Sequence, residues 1–220
     1  MTEDKFIPLE FNIIPEKQML LNSKIFLEDL RKRRTVREFS EEKPPEEIVI
    51  NCIKAALSAP SGANKQPWHF VLIKDSEVKE NIREAAEAEE KEFYSGRASD
   101  EWIEAVKPFG TNEIKEFLTK APYLIAIFAE KYEQTGNGKL KNYYVSESVG
   151  IATGMFITAL HFSGLASLTH TPSPMNFLNR ILDRPENEKP FLLLVTGYPK
   201  LPQYVPDIKK KDPATTITVI

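Results

Sequence analysis

Four short groups of residues in this chain have the composition to do chemistry. Arg31, Lys32, Arg33, Arg34 and Arg37 form a knot of cations. Arginine forks match phosphate oxygens bidentately, and several together offset the desolvation of a dianion. Pro60-Ser61-Gly62-Ala63-Asn64 is a turn of small residues, whose backbone N–H groups can approach a flat, polar ring edge. Glu90 and Tyr94 stand four apart, on one face of a helix, with Lys115 on a later helical stretch. Leu168-Thr169-His170-Thr171-Pro172 presents hydroxyls where a strand ends. Each group also has a plain reading: a solvated basic face, an ordinary turn, a Glu-rich exposed helix and a β-branched strand end.

The elements that must position these groups are set by periodicity and breakers. Residues 1–20 read as irregular, with Pro8 and Pro15 as breakers, and Asn22 or Ser23 could cap a helix over 24–32 that delivers the cations. Pro44-Pro45 opens an apolar helix over 46–58, stopped before Pro60. Strands are expected at 68–73, 123–129, 166–169 and 191–196, with a last β-branched run at 215–220 that needs a sheet edge. Residues 143–165 read as a buried helix in which Gly150 and Gly154 permit close helix approach. Residues 76–118 change character. The stretch 81–97 is an excellent helix former with a weak apolar face, and 112–119 reads as a second helix. So long a polar excursion between core strands reads as a lid over an active site.

Composition excludes several classes. The 220 residues suit one domain over 1–220, and a net charge of −3 argues against nucleic acid as the main partner. A single cysteine rules out a disulfide framework, and Cys52, inside an apolar run, reads as a core thiol. His69, His161 and His170 lack ligand-like spacing, so no metal is expected. There is no Gly-x-Ser-x-Gly elbow, and Gly136-Asn137-Gly138-Lys139 lacks P-loop spacing and reads as a turn before a helix. The opening MTEDKFIPLEF has no signal-peptide pattern. Glu147 and His161 bracket too short an apolar run to span a bilayer. A soluble, cytoplasmic protein is expected.

In this order the groups resemble the flavin-dependent nitroreductase superfamily, through Arg33-Arg34-Thr35-Val36-Arg37 and then Pro60-Ser61-Gly62-Ala63-Asn64 with Gln66-Pro67-Trp68. The spacing of Glu90, Tyr94 and Lys115 resembles its iodotyrosine deiodinase branch, over about residues 31–220. That resemblance implies an α+β, three-layer α-β-α sandwich with a mixed central sheet and a C-terminal strand exchanged in a homodimer. It implies FMN, with Arg33, Arg34, Thr35, Arg37 and Lys210 at the phosphate, where the family often has an arginine in place of Lys210. Ser61, Thr169, His170 and Thr171 would lie along the flavin, with the Thr171 hydroxyl at its N5. The Ala63 N–H would meet the substrate phenolate, Glu90 the ammonium, and Lys115 and Tyr94 the carboxylate. The implied activity is reductive dehalogenation of halotyrosines, fed by an external reductant. A broad nitroreductase or quinone reductase, or a non-catalytic halotyrosine-binding flavoprotein, are the other readings.

Overall fold

The computed structural model describes residues 6–220, and the chain divides into two compact units, Met1–Arg33 and Arg34–Ile220. The first unit holds helix α1 (Glu16–Lys32), with Glu16 in its first turn and Arg31 and Lys32 in its last. Those charges oppose the helix dipole at both ends. The helix starts well before residue 24, because Pro15 forms its N-cap. Asn22 and Ser23 instead spend their polar groups on helix neighbours, Gln18 Nε2 (2.6 Å) and Leu20 O (2.9 Å). None of its residues is buried.

The second unit runs α2 (Glu46–Leu57), β1 (Trp68–Ile73), α3 (Ser76–Glu92), α4 (Asp100–Val106), α5 (Phe117–Lys120) and β2 (Tyr123–Glu130). It continues through β3 (Tyr132–Thr135), β4 (Gly138–Lys141), α6 (Val145–Phe162), β5 (Ala166–His170), α7 (Phe177–Ile181) and β6 (Glu188–Gly197). The main sheet has the order β1-β2-β6-β5. Every strand pair in it is antiparallel. The mixed sheet expected from the resemblance is therefore corrected: the parallel component is one isolated bridge, Thr35 to Ser167, made by an extended run too short to count as a strand.

Successive strand residues face opposite sides, and here both sides are covered, which is why β2 reads as an unbroken apolar run. On one side Ile125, Ile127 and Leu194 pack with Val49, Cys52 and Ala56 of α2 and Ala152, Phe156 and Leu160 of α6. On the other, Leu124, Phe128, Leu193 and Val195 pack with Ile82 and Ala86 of α3, Leu118 of α5 and Leu178 of α7. These are the three expected layers, and Cys52 is the expected buried thiol. Helix α6 is apolar and long enough to cross a membrane by length and composition alone, yet one face of it builds this core. Gly150 and Gly154 face open space, so the close approach expected of them is not made by any described helix of this chain.

Three further expectations are corrected. The helix over 112–119 is present only as α5, and 111–116 is irregular. Residues 215–220 form no strand: Pro213–Thr215 is a 3-10 turn, and no described sheet edge of this chain pairs with residues 216–220. Gly136-Asn137-Gly138 turns the β3–β4 hairpin rather than leading into a helix.

Candidate active site

The cation knot is taken apart by the fold. Arg33 is the C-cap of α1. Residues beyond it are extended, because Thr35 bridges Ser167 and the Val36 N–H donates to Ser167 O (3.2 Å). The Arg34 guanidinium donates to Pro206 O. Arg37 is partly buried, and burial lowers its pKa from the ordinary arginine value. No carboxylate pairs with it among the described residues. A partly desolvated guanidinium without a counter-charge is an open anion position. Lys210 is exposed and is not brought to a described partner.

At the end of β5, Thr169 and Thr171 are exposed while His170 is buried on the opposite side. The His170 ring meets Phe117 edge-on at 5.3 Å, and its Nε2 is buried without a hydrogen-bond partner. Burial, helped by the nearby charges of Lys115 and Arg37, lowers its pKa to about 3. The imidazole is neutral at physiological pH.

Glu90, Tyr94 and Lys115 lie close together. Asp75 caps α3 by accepting from the Glu77 and Val78 N–H groups, each at 2.9 Å. The helix passes at Phe93–Arg97 into a π turn, which carries Tyr94. Lys115 Nζ lies 3.2 Å from Glu90 Oε2, with side-chain exposures of 3% and 13%. It also donates to Thr111 Oγ1 (3.4 Å) and to Asn112 O, and stands 5.8 Å from the Tyr94 ring centre. The Tyr94 hydroxyl is buried without a hydrogen bond of acceptable geometry, although Thr111 is near enough to pull on it. Burial raises the phenol's pKa. Trp102, from α4, packs edge-on against Phe93 (4.7 Å) and Tyr94 (5.6 Å), a contact that no spacing in the sequence announces. Ile82, Ala86 and Leu118 are wholly buried in the core, so the part of 76–118 outside it is about residues 88–116.

The small-residue turn has a different setting. Ala63, Asn64 and Gln66 have φ of 50°, 54° and 48°, left-handed values that cost energy for non-glycine residues and cluster at functional sites. Most of its N–H groups are used. Gly62 donates to Ser148 Oγ (3.4 Å) and Gln66 to Ser61 Oγ (2.9 Å), while Asn64 donates to Ser61 O and Lys65 to Gly62 O, each at 3.0 Å. Ser61 and Ala63 are the members of this turn whose N–H groups have no described acceptor. Gly62 is required by space, since a Cβ there would sit 2.8 Å from Tyr144 Cδ2 and 2.9 Å from Tyr143 O. The hairpin before those tyrosines is tied down by Asn142 Nδ2 donating to Glu130 O (2.9 Å) and by Lys65 facing Glu133 at 3.8 Å.

Strand order separates the two settings. Trp68 pairs with Ala129 and His170 with Leu193, so β1 begins and β5 ends at the same end of the sheet. They are its two outer strands, three strand spacings or roughly 14 Å apart. One chain thus carries Arg34, Arg37, Thr171 and the Glu90–Lys115 pair at one edge, and the small-residue turn at the other.

Residues 30–198 match the sequence profile of the Nitroreductase family. The chain belongs to the nitroreductase family. Within the family it is similar to iodotyrosine deiodinases. It is 51% identical over 215 residues to the one from Haliscomenobacter hydrossis, covering 97% of each chain. It is 44% identical over 207 residues to human iodotyrosine deiodinase 1, covering 93% of this chain and 72% of the human one. A crystal structure of oxidised iodotyrosine deiodinase bound to FMN and 3-iodo-L-tyrosine superposes with a TM-score of 0.73 at 33% identity, covering 85% of this chain and 96% of that one. The nitroreductase-type α+β fold read from the sequence is the fold observed.

Proposed function

We propose that the protein is an FMN-dependent oxidoreductase that removes halogen from halotyrosines, releasing L-tyrosine and halide. The observation that carries this reading is the assembled trio of Glu90, Tyr94 and Lys115. A buried carboxylate–ammonium pair beside a buried, unbonded phenol is complementary to the ammonium and carboxylate of a free amino acid. Glu90 takes the ammonium, and Lys115 with the Tyr94 hydroxyl takes the carboxylate.

The unspent groups fit FMN. Arg37 lacks a counter-charge and, with Arg34 and Thr35, suits the cofactor's anionic end; Arg33 and Lys210 share that role on sequence grounds alone. The exposed Thr169 and Thr171 would line the ring, with Ser61 supplied by the turn of a second copy and the Thr171 hydroxyl available to N5. His170, buried on the other side of the strand end, could reach it only through its main chain. Bound FMN in its reduced form supplies the two electrons that, with a proton, replace the carbon–halogen bond by carbon–hydrogen. The chain's part is orientation and electrostatics: the unclaimed Ala63 N–H donates to the phenolate oxygen and steadies its charge as the ring adds a proton at the halogen-bearing carbon.

A homodimer completes this site. The turn and the lid lie at opposite edges of one sheet, so a second copy can supply the turn that one chain holds too far away. Exposed apolar side chains at both termini support it, among them Phe6, Ile7, Leu9 and Phe11, and Ile217, Val219 and Ile220. The C-terminal run, without a sheet partner in its own chain, suits exchange onto that second copy. An external reductant or reductase renews the flavin.

The test compares 3-iodo-L-tyrosine with 2-iodophenol on FMN-loaded protein reduced by dithionite. Release of iodide and tyrosine from the amino acid, with far weaker binding of the phenol, is expected. Equal affinity for the two would remove the lid from the reading and leave a broad nitroreductase. Tight binding of iodotyrosine without turnover would leave a binding flavoprotein.

A further inference from the structure

One polar stripe along α3 faces the chain as it returns from the lid. Lys79 Nζ donates to Thr119 O (3.1 Å) and Ala121 O (2.8 Å). Arg83 Nη1 donates to Thr119 Oγ1 (3.2 Å). Glu87 Oε1 accepts from the Lys115 N–H (2.7 Å) and from Arg83 Nε (2.8 Å). Glu90 meets Lys115 Nζ at 3.2 Å. Spacings of four, four and three put all four side chains on one helix face. They read the returning segment in order, from the start of β2 back to the lid.

Lys115 needs this support. It lies in the irregular stretch 111–116, where no helix or sheet ladder satisfies the backbone, and a buried N–H without an acceptor is costly. Glu87 is the described acceptor for that N–H. Arg83 neutralises the carboxylate that is brought in to do so. The lysine side chain has four rotatable bonds, so its ammonium stays beside Glu90 only if its main chain is held.

We propose that Glu87 is a positioning residue for substrate binding. By fixing the Lys115 main chain, it sets the separation between the Lys115 ammonium and the Glu90 carboxylate, and so selects ligands carrying an ammonium and a carboxylate on one carbon. This rests on Glu90 and Lys115 being the ligands of the zwitterion. A purely structural staple would behave differently, and Lys79, lower on the same stripe, serves as that control.

The experiment measures dissociation constants of FMN-loaded protein for 3-iodo-L-tyrosine and 2-iodophenol. Glu87→Ala should weaken iodotyrosine about tenfold, as expected for a lost charge-assisted hydrogen bond, with iodophenol and FMN affinity unmoved. Glu87→Gln keeps an acceptor for the Lys115 N–H and should restore most of the loss. Lys79→Met should lower the melting temperature and leave the ratio of the two ligands unchanged. Equal weakening of both ligands by Glu87→Ala, no weakening, or a Gln variant as poor as Ala overturns the proposal. If Glu90→Gln and Lys115→Met also leave the ligand ratio intact, the zwitterion reading itself fails; if they abolish it while Glu87→Ala does not, only the role of Glu87 fails. Hydrogen exchange on the unaltered protein needs no variant to fold. The Lys115 amide should exchange far more slowly than its neighbours in 111–116 before any ligand is added, and exchange at the rate of an open loop overturns the proposal.

Discussion

Neutralising Glu90 should reverse, rather than merely weaken, the ligand preference of the lid. In the ligand-free protein Glu90 and Lys115 satisfy each other across 3.2 Å, with the lysine side chain only 3% exposed. A zwitterion exchanges that one pair for two. A ligand with a carboxylate but no ammonium takes Lys115 and strands Glu90. Glu90→Gln removes a charged hydrogen bond to the ammonium, which is about 1.5–3 kcal/mol, or roughly a 10- to 150-fold rise in Kd for 3-iodo-L-tyrosine. The same change leaves the Lys115 ammonium with only the neutral oxygens of Thr111 and Asn112. An uncompensated buried charge costs about 3–5 kcal/mol, and the lower end applies because Glu90 is 13% exposed. A carboxylate-only ligand, the des-amino analogue of iodotyrosine, should therefore bind the variant more tightly than it binds the unaltered protein. Titration of flavin fluorescence with both ligands on both proteins measures the crossover. An unchanged order of affinities would refute the reasoning, since it would mean that the buried pair does not compete with the ligand.

Four other outcomes are expected. Gly62→Ala should destabilise the protein by about 1–3 kcal/mol and weaken FMN binding, read by urea unfolding and cofactor titration, because its Cβ would lie 2.9 Å from the Tyr143 carbonyl oxygen. Arg37→Met should raise the Kd for FMN roughly 10- to 150-fold, whereas Lys210→Ala, at an exposed position, should change it much less. His170 has a folded pKa of about 3 against an ordinary 6.5, so the unfolded chain binds its proton first. The stability it contributes is full above pH 6.5 and is lost as pH falls from 6.5 towards 3, at up to about 1.4 kcal/mol per pH unit. Urea unfolding at pH 7 and pH 5 should show a shallower acid loss for His170→Gln than for the unaltered protein. Thr171→Ala should slow dehalogenation several-fold, the effect of about 1 kcal/mol from one neutral hydrogen bond, and raise the Kd for FMN by no more than the same several-fold, measured by iodide release and equilibrium dialysis.

Much of this protein is legible in its sequence alone, because the physics concerned is local. The runs over 68–73, 123–129 and 166–169 are strands close to those bounds, and the central 123–129 is apolar throughout because both faces of its sheet are covered. Helix α2 begins after Pro45 and ends before Pro60, where proline fixes φ and withholds a donor. Glu90, Tyr94 and Lys115, singled out by resemblance, do lie together in the fold. The misjudged pieces are those whose state depends on distant partners. Residues 112–116 have helical composition, yet they are irregular where Glu87 accepts the Lys115 N–H and Glu90 faces its ammonium. The β-branched run 215–220 has strand propensity but no edge within its own chain to pair with. What the tertiary structure alone decided is how far apart the candidate site residues lie in one chain. Arg34, Arg37 and Pro60–Asn64 read as one continuous cradle along the sequence, but the order β1-β2-β6-β5 sends β1 and β5 to opposite edges. Strand order is set by which apolar faces bury against which helices, a sum over the whole core that no local stretch of residues contains.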